Sequence, residues 1–295
     1  MICACIDIGS NTTRLLVAEP AGGRVRELLR QRAFTRIGKG LQRDDTIPAK
    51  KIDEVVDVVA TQVRVARELG SETIRAVATA AIREASNQEA LITAIARRTG
   101  VDVAVLTDEE EARLAFVGAT TALDHPPDGD IAVIDVGGAS SEIAIGTIAG
   151  GVRASSSFRI GSGMLADAYL KSGPPTVREL QRLRAHVGGT FEGFVLPTPE
   201  LAVAVGGSAS GLRRLVGTVL DHESLERGLR ILATTVSEAV ARSTELEVER
   251  VRLLPAGLLV LEEIADRLGR QLNIGRGGLR EGVIVDMLIA AGRGA

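Results

Sequence analysis

Ile6-Asp7-Ile8-Gly9-Ser10-Asn11-Thr12-Thr13-Arg14-Leu15-Leu16-Val17-Ala18 aligns without gaps on Ile134-Asp135-Val136-Gly137-Gly138-Ala139-Ser140-Ser141-Glu142-Ile143-Ala144-Ile145-Gly146. Each copy is an apolar stretch ending in Asp, a turn of small and hydroxyl-bearing residues, and a second apolar stretch. That pattern is a β-hairpin signature. The copies start about 128 residues apart, far longer than a solenoid period. The echo predicts two related α/β halves, each opening with the same hairpin and facing each other across a cleft.

Outward from the first copy the pattern stays α/β. Arg24 to Phe34 reads as a third strand. Pro48 opens a helix that keeps 3.6-residue spacing through Ile52, Val55, Val56, Val59, Val63, Ala66 and Leu69 and stops at Gly70. A strand over Thr73–Ala78, a helix over Asn87–Arg98 closed by Gly100, a strand over Val103–Leu106 and a helix over Asp108–Ala122 follow. The polar run Asp124-His125-Pro126-Pro127-Asp128-Gly129-Asp130 is a breaker and marks a boundary between domains at 1–123 and 124–278. Beyond it come strands at 131–136, 141–147 and 151–158, a helix over Thr176–Val187 and a strand over Leu201–Val205. Next are a helix from Ala209, a long helix over Ser224–Thr244 and another opening at Pro255. The last helix starts after Gly278, within 279–293, and is expected to cross back onto the first half.

The chain has 295 residues, 45% hydrophobic and 25% charged, a globular composition with room for two domains. No apolar run approaches the ~20 residues of a bilayer span, and the N-terminus shows no basic region or cleavage site of a secretion signal. Cys3 and Cys5 would share one strand face, a poor disulfide geometry and too few ligands for zinc. These features suggest a reducing cytoplasm. A net charge of −3 gives no global attraction to nucleic acid or membrane, and the scarcity of aromatics, with no Trp, Tyr169 the one Tyr and five Phe, disfavours base stacking.

Several residues carry candidate chemistry. The turns Gly9-Ser10-Asn11-Thr12 and Gly137-Gly138-Ala139-Ser140 offer backbone N–H groups and hydroxyls that can nest an anion; as single turns they would be ordinary hairpin bends. Asp7, Asp135 and Glu142 lie where strand ends meet these turns, positions suited to Mg²⁺. Asp108-Glu109-Glu110-Glu111 suits a helix first turn, where acids complement the dipole, yet one of them could face the cleft as general base. Arg83 could clamp a phosphate, and Gly206-Gly207-Ser208 sits at a strand-to-helix junction where N–H groups favour anions. A nucleophilic Ser208 is disfavoured because Ser210 stands where the elbow's second Gly belongs. Gly38-Lys39-Gly40 lacks the spacing of a Walker A loop, and His125, His186 and His222 are too scattered for a metal site.

Taken together these segments resemble the exopolyphosphatase / guanosine pentaphosphate phosphohydrolase (Ppx/GppA) family of the actin-like superfamily. The match is carried by Asp7-Ile8-Gly9-Ser10-Asn11-Thr12, Ala78-Thr79-Ala80-Ala81-Ile82-Arg83, Glu110-Glu111-Ala112-Arg113-Leu114, Asp135 to Glu142, Gly206-Gly207-Ser208-Ala209 and Leu279-Arg280-Glu281-Gly282-Val283. The resemblance implies an α/β fold of two ribonuclease-H-like (actin-like) domains, with mixed sheets flanked by helices and a cleft between them. It implies Mg²⁺ dependence and release of a terminal phosphate from polyphosphate or pppGpp. Family roles fall on Glu111 as catalytic base, with Glu110 its neighbouring alternative. Phosphate ligands fall on Ser10, Asn11, Thr12, Arg83, Gly137, Gly138, Ser140, Gly207 and Ser208, and metal ligands on Asp135 and Glu142. A homodimer is also implied. Two departures stand out. Ala139 replaces a third glycine, and the sequence stops near 295 without the extra C-terminal domains of longer members.

The resulting expectation is a Mg²⁺-dependent exopolyphosphatase acting on inorganic polyphosphate, short chains included. Its alternatives are a pppGpp 5′-phosphohydrolase, a non-hydrolysing (p)ppGpp or polyphosphate sensor, and a kinase-like transferase.

Overall fold

The computed structural model describes residues 1–39 and 45–292. Gly40 of the Gly38-Lys39-Gly40 segment and residue 293 of the last predicted helix lie outside the described residues. The chain divides into two compact units, Met1–Ala122 with Gly277–Ala295, and Leu123–Arg276.

In the first unit, β1 (Ile2–Ile8), β2 (Thr13–Ala21) and β3 (Arg24–Ala33) form an antiparallel meander, and β4 (Ser71–Ala78) and β5 (Val103–Val105) add in parallel. The strand order is β3-β2-β1-β4-β5. Parallel strands need crossovers; here these are α1 (Ala49–Glu68), the short α2 (Ala80–Arg83) and α3 (Gln88–Thr99). Even-numbered β1 residues Ala4, Ile6 and Ile8 pack against Val55, Val59 and Val63 of α1 on one face of the sheet. Odd-numbered Cys3 and Cys5 pack on the other face against α4 (Asp108–Thr121) and α12 (Leu279–Ala290), through Leu114, Val283, Ile284, Met287 and Leu288. Both thiols are buried and unbridged. A strand covered on both faces reads as a continuous apolar run, which is what Ile2 to Ile6 is. The last helix therefore completes the first unit.

The second unit repeats the plan. The hairpin strands β6 (Ile131–Val136) and β7 (Ser141–Thr147) and the antiparallel β8 (Gly151–Phe158) are followed in the sheet by the parallel β9 (Leu201–Val205) and β11 (Leu272–Ile274), with the two-residue β10 (Val219–Leu220) on the edge. The hairpin strands and β9 have their expected bounds. Around this sheet lie α5 (Ser162–Tyr169), α6 (Val177–Thr190), α7 (Gly206–Val216), α8 (His222–Thr234), α9 (Ser237–Thr244), α10 (Val248–Val251) and α11 (Leu254–Leu268).

The structure differs from the sequence reading at several points. The long helix expected over Ser224–Thr244 is two helices. Thr235 (φ −117°, ψ 132°) and Val236 (φ −61°, ψ 143°) are extended, at a β-branched run Thr234-Thr235-Val236 that disfavours helix. The helix expected from Ala209 starts at Gly206. α2, α5, α10, β10 and β11 have no counterpart in the sequence reading; all are short. No helix among the described residues is long and apolar enough to cross a membrane.

Candidate functional site

The two hairpin turns close with the same hydrogen bond. Gly9 N–H donates to the Thr12 carbonyl at 3.0 Å, and Gly137 N–H to the Ser140 carbonyl at 2.9 Å. Gly9, Gly137 and Gly138 are not among the positive-φ residues, so left-handed backbone is not what these glycines provide. A Cβ on Gly9 would stand 3.2 Å from the Thr12 carbonyl, and one on Gly137 3.1 Å from that of Ser140: a side chain at either bend would press on the carbonyl that closes the turn. Ala139 is likewise absent from the positive-φ residues, so alanine sits there without the strain that a left-handed position would impose.

Each turn is also clamped through its carbonyls. In the first unit, Gly38 N–H donates to Ser10 O at 2.8 Å and Arg36 N–H to Asn11 O at 3.0 Å. In the second, Ser162 N–H donates to Gly137 O at 2.9 Å, and Gly163 and Met164 N–H both reach Gly138 O at 3.0 Å. Ser10 and Gly138 occupy the same place in the echo, so equivalent carbonyls are held in both units. The first-unit donors belong to Arg36-Ile37-Gly38-Lys39-Gly40, which repeats in the second unit as Arg159-Ile160-Gly161-Ser162-Gly163; there the donors are Ser162 and Gly163 of the repeat and the following Met164. The repeat is short, identical at four of five positions, and its role shows only in the hydrogen bonds. Gly161 presses on the Gly138 backbone so closely that a Cβ would overlap it.

The first turn sits at the carboxyl ends of β1 and β4, which run parallel with Ile8 beside Ala78. Open α/β sheets place ligands at this edge. Asp7, the penultimate residue of β1, is 8% exposed. Burial pushes its carboxyl above the ordinary Asp value; Arg14 and Arg280 pull it back, and Glu281 adds to the rise. Arg14 is its register partner on β2 and donates through Nε to Thr12 Oγ1 at 2.9 Å.

Glu111 and Arg83 meet in this unit. The strand β5 ends near the carboxyl end of β4, and α4 starts directly after it. Thr107 caps α4: Glu110 N–H donates to Thr107 Oγ1 at 3.2 Å, and Glu110 Oε2 accepts Thr107 N–H at 2.9 Å. This capping box occupies Glu110. Glu111 is instead 6% exposed, and its Oε1 accepts from Arg83 Nη1 at 2.5 Å. Arg83 also donates to the Leu106 carbonyl at 2.5 Å and pairs with Asp108. Arg83, the expected phosphate clamp, thus braces Glu111 in this structure.

α4 crosses α12 at glycines. A Cβ on Gly118 would overlap the Gly278 carbonyl oxygen, and one on Gly282 the Leu114 carbonyl oxygen. Gly118 is two turns from Glu111 on the same helix face. Arg113 completes the contact with a two-pronged pair to Asp286, at 3.1 and 2.6 Å.

In the second unit Asp135 and Glu142 are direct cross-strand partners on β6 and β7. Directly opposed side chains share a face, and like charges there repel. Glu142 is 5% exposed and accepts from Ser157 Oγ at 3.2 Å. Gly206 has φ +81°, and a Cβ there would overlap the Asp135 carboxylate, so the carboxylate rests on the first turn of α7. Among the described residues no group of three or more His, Cys, Asp or Glu could hold a metal. Mg²⁺ usually takes only one or two carboxylates and completes its shell with water and phosphate oxygens, so an opposed pair of hard oxygen donors fits it. Gly207 gives its carbonyl to Arg250 Nη2 at 2.6 Å. Ser208 is buried, and its hydroxyl donates to the Val136 carbonyl at 3.2 Å. That bond ties α7 to β6. Ser140 closes the turn and is 7% exposed.

Comparison with known proteins agrees with this architecture. The family model described as the Ppx/GppA phosphatase family matches residues 16–291. Exopolyphosphatase 1 of Mycobacterium tuberculosis is 28% identical over 301 residues, covering 96% of this chain and 87% of that protein. An uncharacterized protein of Streptomyces coelicolor is 30% identical over 257 residues, 84% of this chain and 75% of its own length. The crystal structure of the Aquifex aeolicus Ppx/GppA family member superposes with a TM-score of 0.83 at 28% identity, over 99% of this chain and 98% of that one. Each unit is accordingly an actin-like domain. The chain belongs to the Ppx/GppA phosphatase family, whose members are phosphoanhydride hydrolases.

Proposed function

We propose that this chain is a Mg²⁺-dependent exopolyphosphatase that releases the terminal phosphate of inorganic polyphosphate. The observation that carries the reading is the division of labour between adjacent carboxylates: Glu110 caps α4, while Glu111 is buried and braced by Arg83. A helix cap needs one acid; a second, buried and held by a cation, is available for chemistry.

In the reaction Glu111 orients a water and takes its proton as the water oxygen bonds to the terminal phosphorus. The anhydride P–O bond breaks on the opposite side, and the shortened chain leaves with the bond's electron pair. Ser10, Asn11 and Thr12 in one turn, and Gly137, Gly138 and Ser140 in the other, hold phosphate oxygens. Asp135 and Glu142 would hold Mg²⁺, which neutralises charge on the transferred group. Polyphosphate is favoured over pppGpp because aromatic side chains to stack a base are few, with no Trp, one Tyr and five Phe. The two buried thiols, unbridged, suit a reducing cytoplasm.

The test is phosphate release measured side by side on short polyphosphate, long polyphosphate, pppGpp and ATP, with and without Mg²⁺. Mg²⁺-dependent release, fastest from polyphosphate, supports the reading. Faster release from pppGpp would reassign the substrate, and no release from any of the four would reject the hydrolase.

A further inference from the structure

The duplicated hairpins differ in one chemically decisive place. The residue paired across the strands with the terminal Asp is Arg14 in the first unit and Glu142 in the second. One hairpin therefore carries a built-in cation opposite its Asp, and the other carries a second acid.

Arg14 also does something that no acid could. Its Nε donates to Thr12 Oγ1 at 2.9 Å. A guanidinium has five N–H donors and no acceptor, whereas a hydroxyl has one proton and two lone pairs. The Arg14 bond must therefore use a lone pair of Thr12 and leaves the Thr12 proton available to another acceptor. The neighbouring Thr13 differs: its hydroxyl is fully buried and shares a 3.0 Å bond with Thr35 Oγ1. Of the two threonines at this bend, Thr12 is the one set to donate to a ligand. The arginine in turn is held opposite Asp7, which is buried beneath the turn.

We propose that Arg14 is a positioning residue that sets the Thr12 hydroxyl as a dedicated donor to a phosphate oxygen. This inference rests on the first turn being a phosphate site, as in the function proposed above. The ligand class it selects is a fully ionised phosphate oxygen, which only accepts hydrogen bonds. The Thr12 contact depends on Arg14, so the two side chains act as one unit.

The experiment is a double-mutant cycle read by calorimetric titration of inorganic tripolyphosphate into the non-hydrolysing Glu111→Gln protein. Thr12→Val and Arg14→Met should each weaken binding by roughly 10-fold, the loss of one hydrogen bond to a charged group. The double variant should be no more than about 2-fold worse than the weaker single one, because the second change removes nothing further. Arg14→Lys, which keeps a cationic donor, should recover part of the affinity, and Thr12→Ser nearly all of it. In the hydrolysing protein the singles should raise KM with little change in kcat. Losses that multiply to about 100-fold in the double variant, or normal affinity in Arg14→Met, would overturn the proposal. Should Arg14→Met fail to fold, Arg14→Gln takes its place in the cycle under the same criteria. Tight tripolyphosphate binding without phosphate release from the wild type would count against the hydrolase alone. A multiplicative cycle with intact hydrolysis would count against Arg14 alone.

Discussion

Arg83 donates through Nη1 to Oε1 of Glu111 at 2.5 Å, from a side chain 24% exposed to one 7% exposed. The pair joins the short helix after β4 to the first turn of α4. Losing the cation leaves a buried carboxylate without its brace, and Arg83 also supports the Leu106 carbonyl. Arg83→Gln should lower kcat at least 10-fold, through the loosened carboxylate, and reduce stability by about 1–3 kcal/mol. Steady-state kinetics and thermal unfolding on one preparation check both. A rise in KM with normal kcat would instead mark Arg83 as a phosphate clamp.

The crossing of α4 and α12 has no room for a methyl group. At Gly118 and Gly282 the obstacle is the backbone of the other helix, which cannot rotate away as a side chain would. Gly118→Ala or Gly282→Ala should cost about 1–3 kcal/mol and lower Tm by several degrees. Gly189 is also helical, but a methyl added there would meet nothing within 4 Å, so Gly189→Ala should leave Tm unchanged or raise it. Equal Tm values for all three variants would refute this packing.

Glu179 supplies a pH-dependent element of stability. Its carboxylate accepts backbone N–H groups of Thr176, Lys171 and Ser172, and these bonds, led by Thr176, lower its pKa to about 2. A depressed acid stabilises the fold above its unfolded value and loses that contribution as pH falls through the folded one. The stability gap between wild type and Glu179→Gln should be flat above about pH 4.5 and close toward pH 2. Chemical denaturation across that range measures it; a gap that does not change with pH would contradict the assignment.

Asp135 and Glu142 should govern the demand for metal. Asp135→Asn and Glu142→Gln each remove one charge from an opposed pair. Each should raise the Mg²⁺ concentration for half-maximal phosphate release by roughly 10-fold or more, and weaken any thermal stabilisation by Mg²⁺. Unaltered Mg²⁺ titrations would place the metal elsewhere.

The hairpins and their turns are legible in the sequence because the strand ends, the Asp and the tight bend all recur locally. Adjacent strands such as Ile131–Val136 and Ser141–Thr147 need only a turn between them. What sequence does not reveal depends on distant partners. The bond of Ser208 to the Val136 carbonyl joins positions 72 apart. Gly206 is required by the Asp135 carboxylate, 71 positions earlier in the chain. Thr107-x-x-Glu110 has the spacing of a capping box and so marks Glu110 in the sequence itself, whereas the brace of Arg83 on Glu111 comes from 28 positions away and has no spacing rule. The five-residue echo of Arg36–Gly40 in Arg159–Gly163 is present in the sequence but too short to stand out without the hydrogen bonds that give it meaning.

Glu111→Gln tests the central claim most directly, with Glu110→Gln as its control. The amide keeps the shape of the side chain and cannot take a proton from water. Glu111→Gln should lower kcat for polyphosphate by roughly 10²–10⁴-fold while tripolyphosphate affinity stays within about 2-fold of wild type, and Glu110→Gln should keep kcat within about 3-fold. Near-normal turnover in Glu111→Gln, or an equal loss in Glu110→Gln, would contradict the assignment of Glu111 as the base.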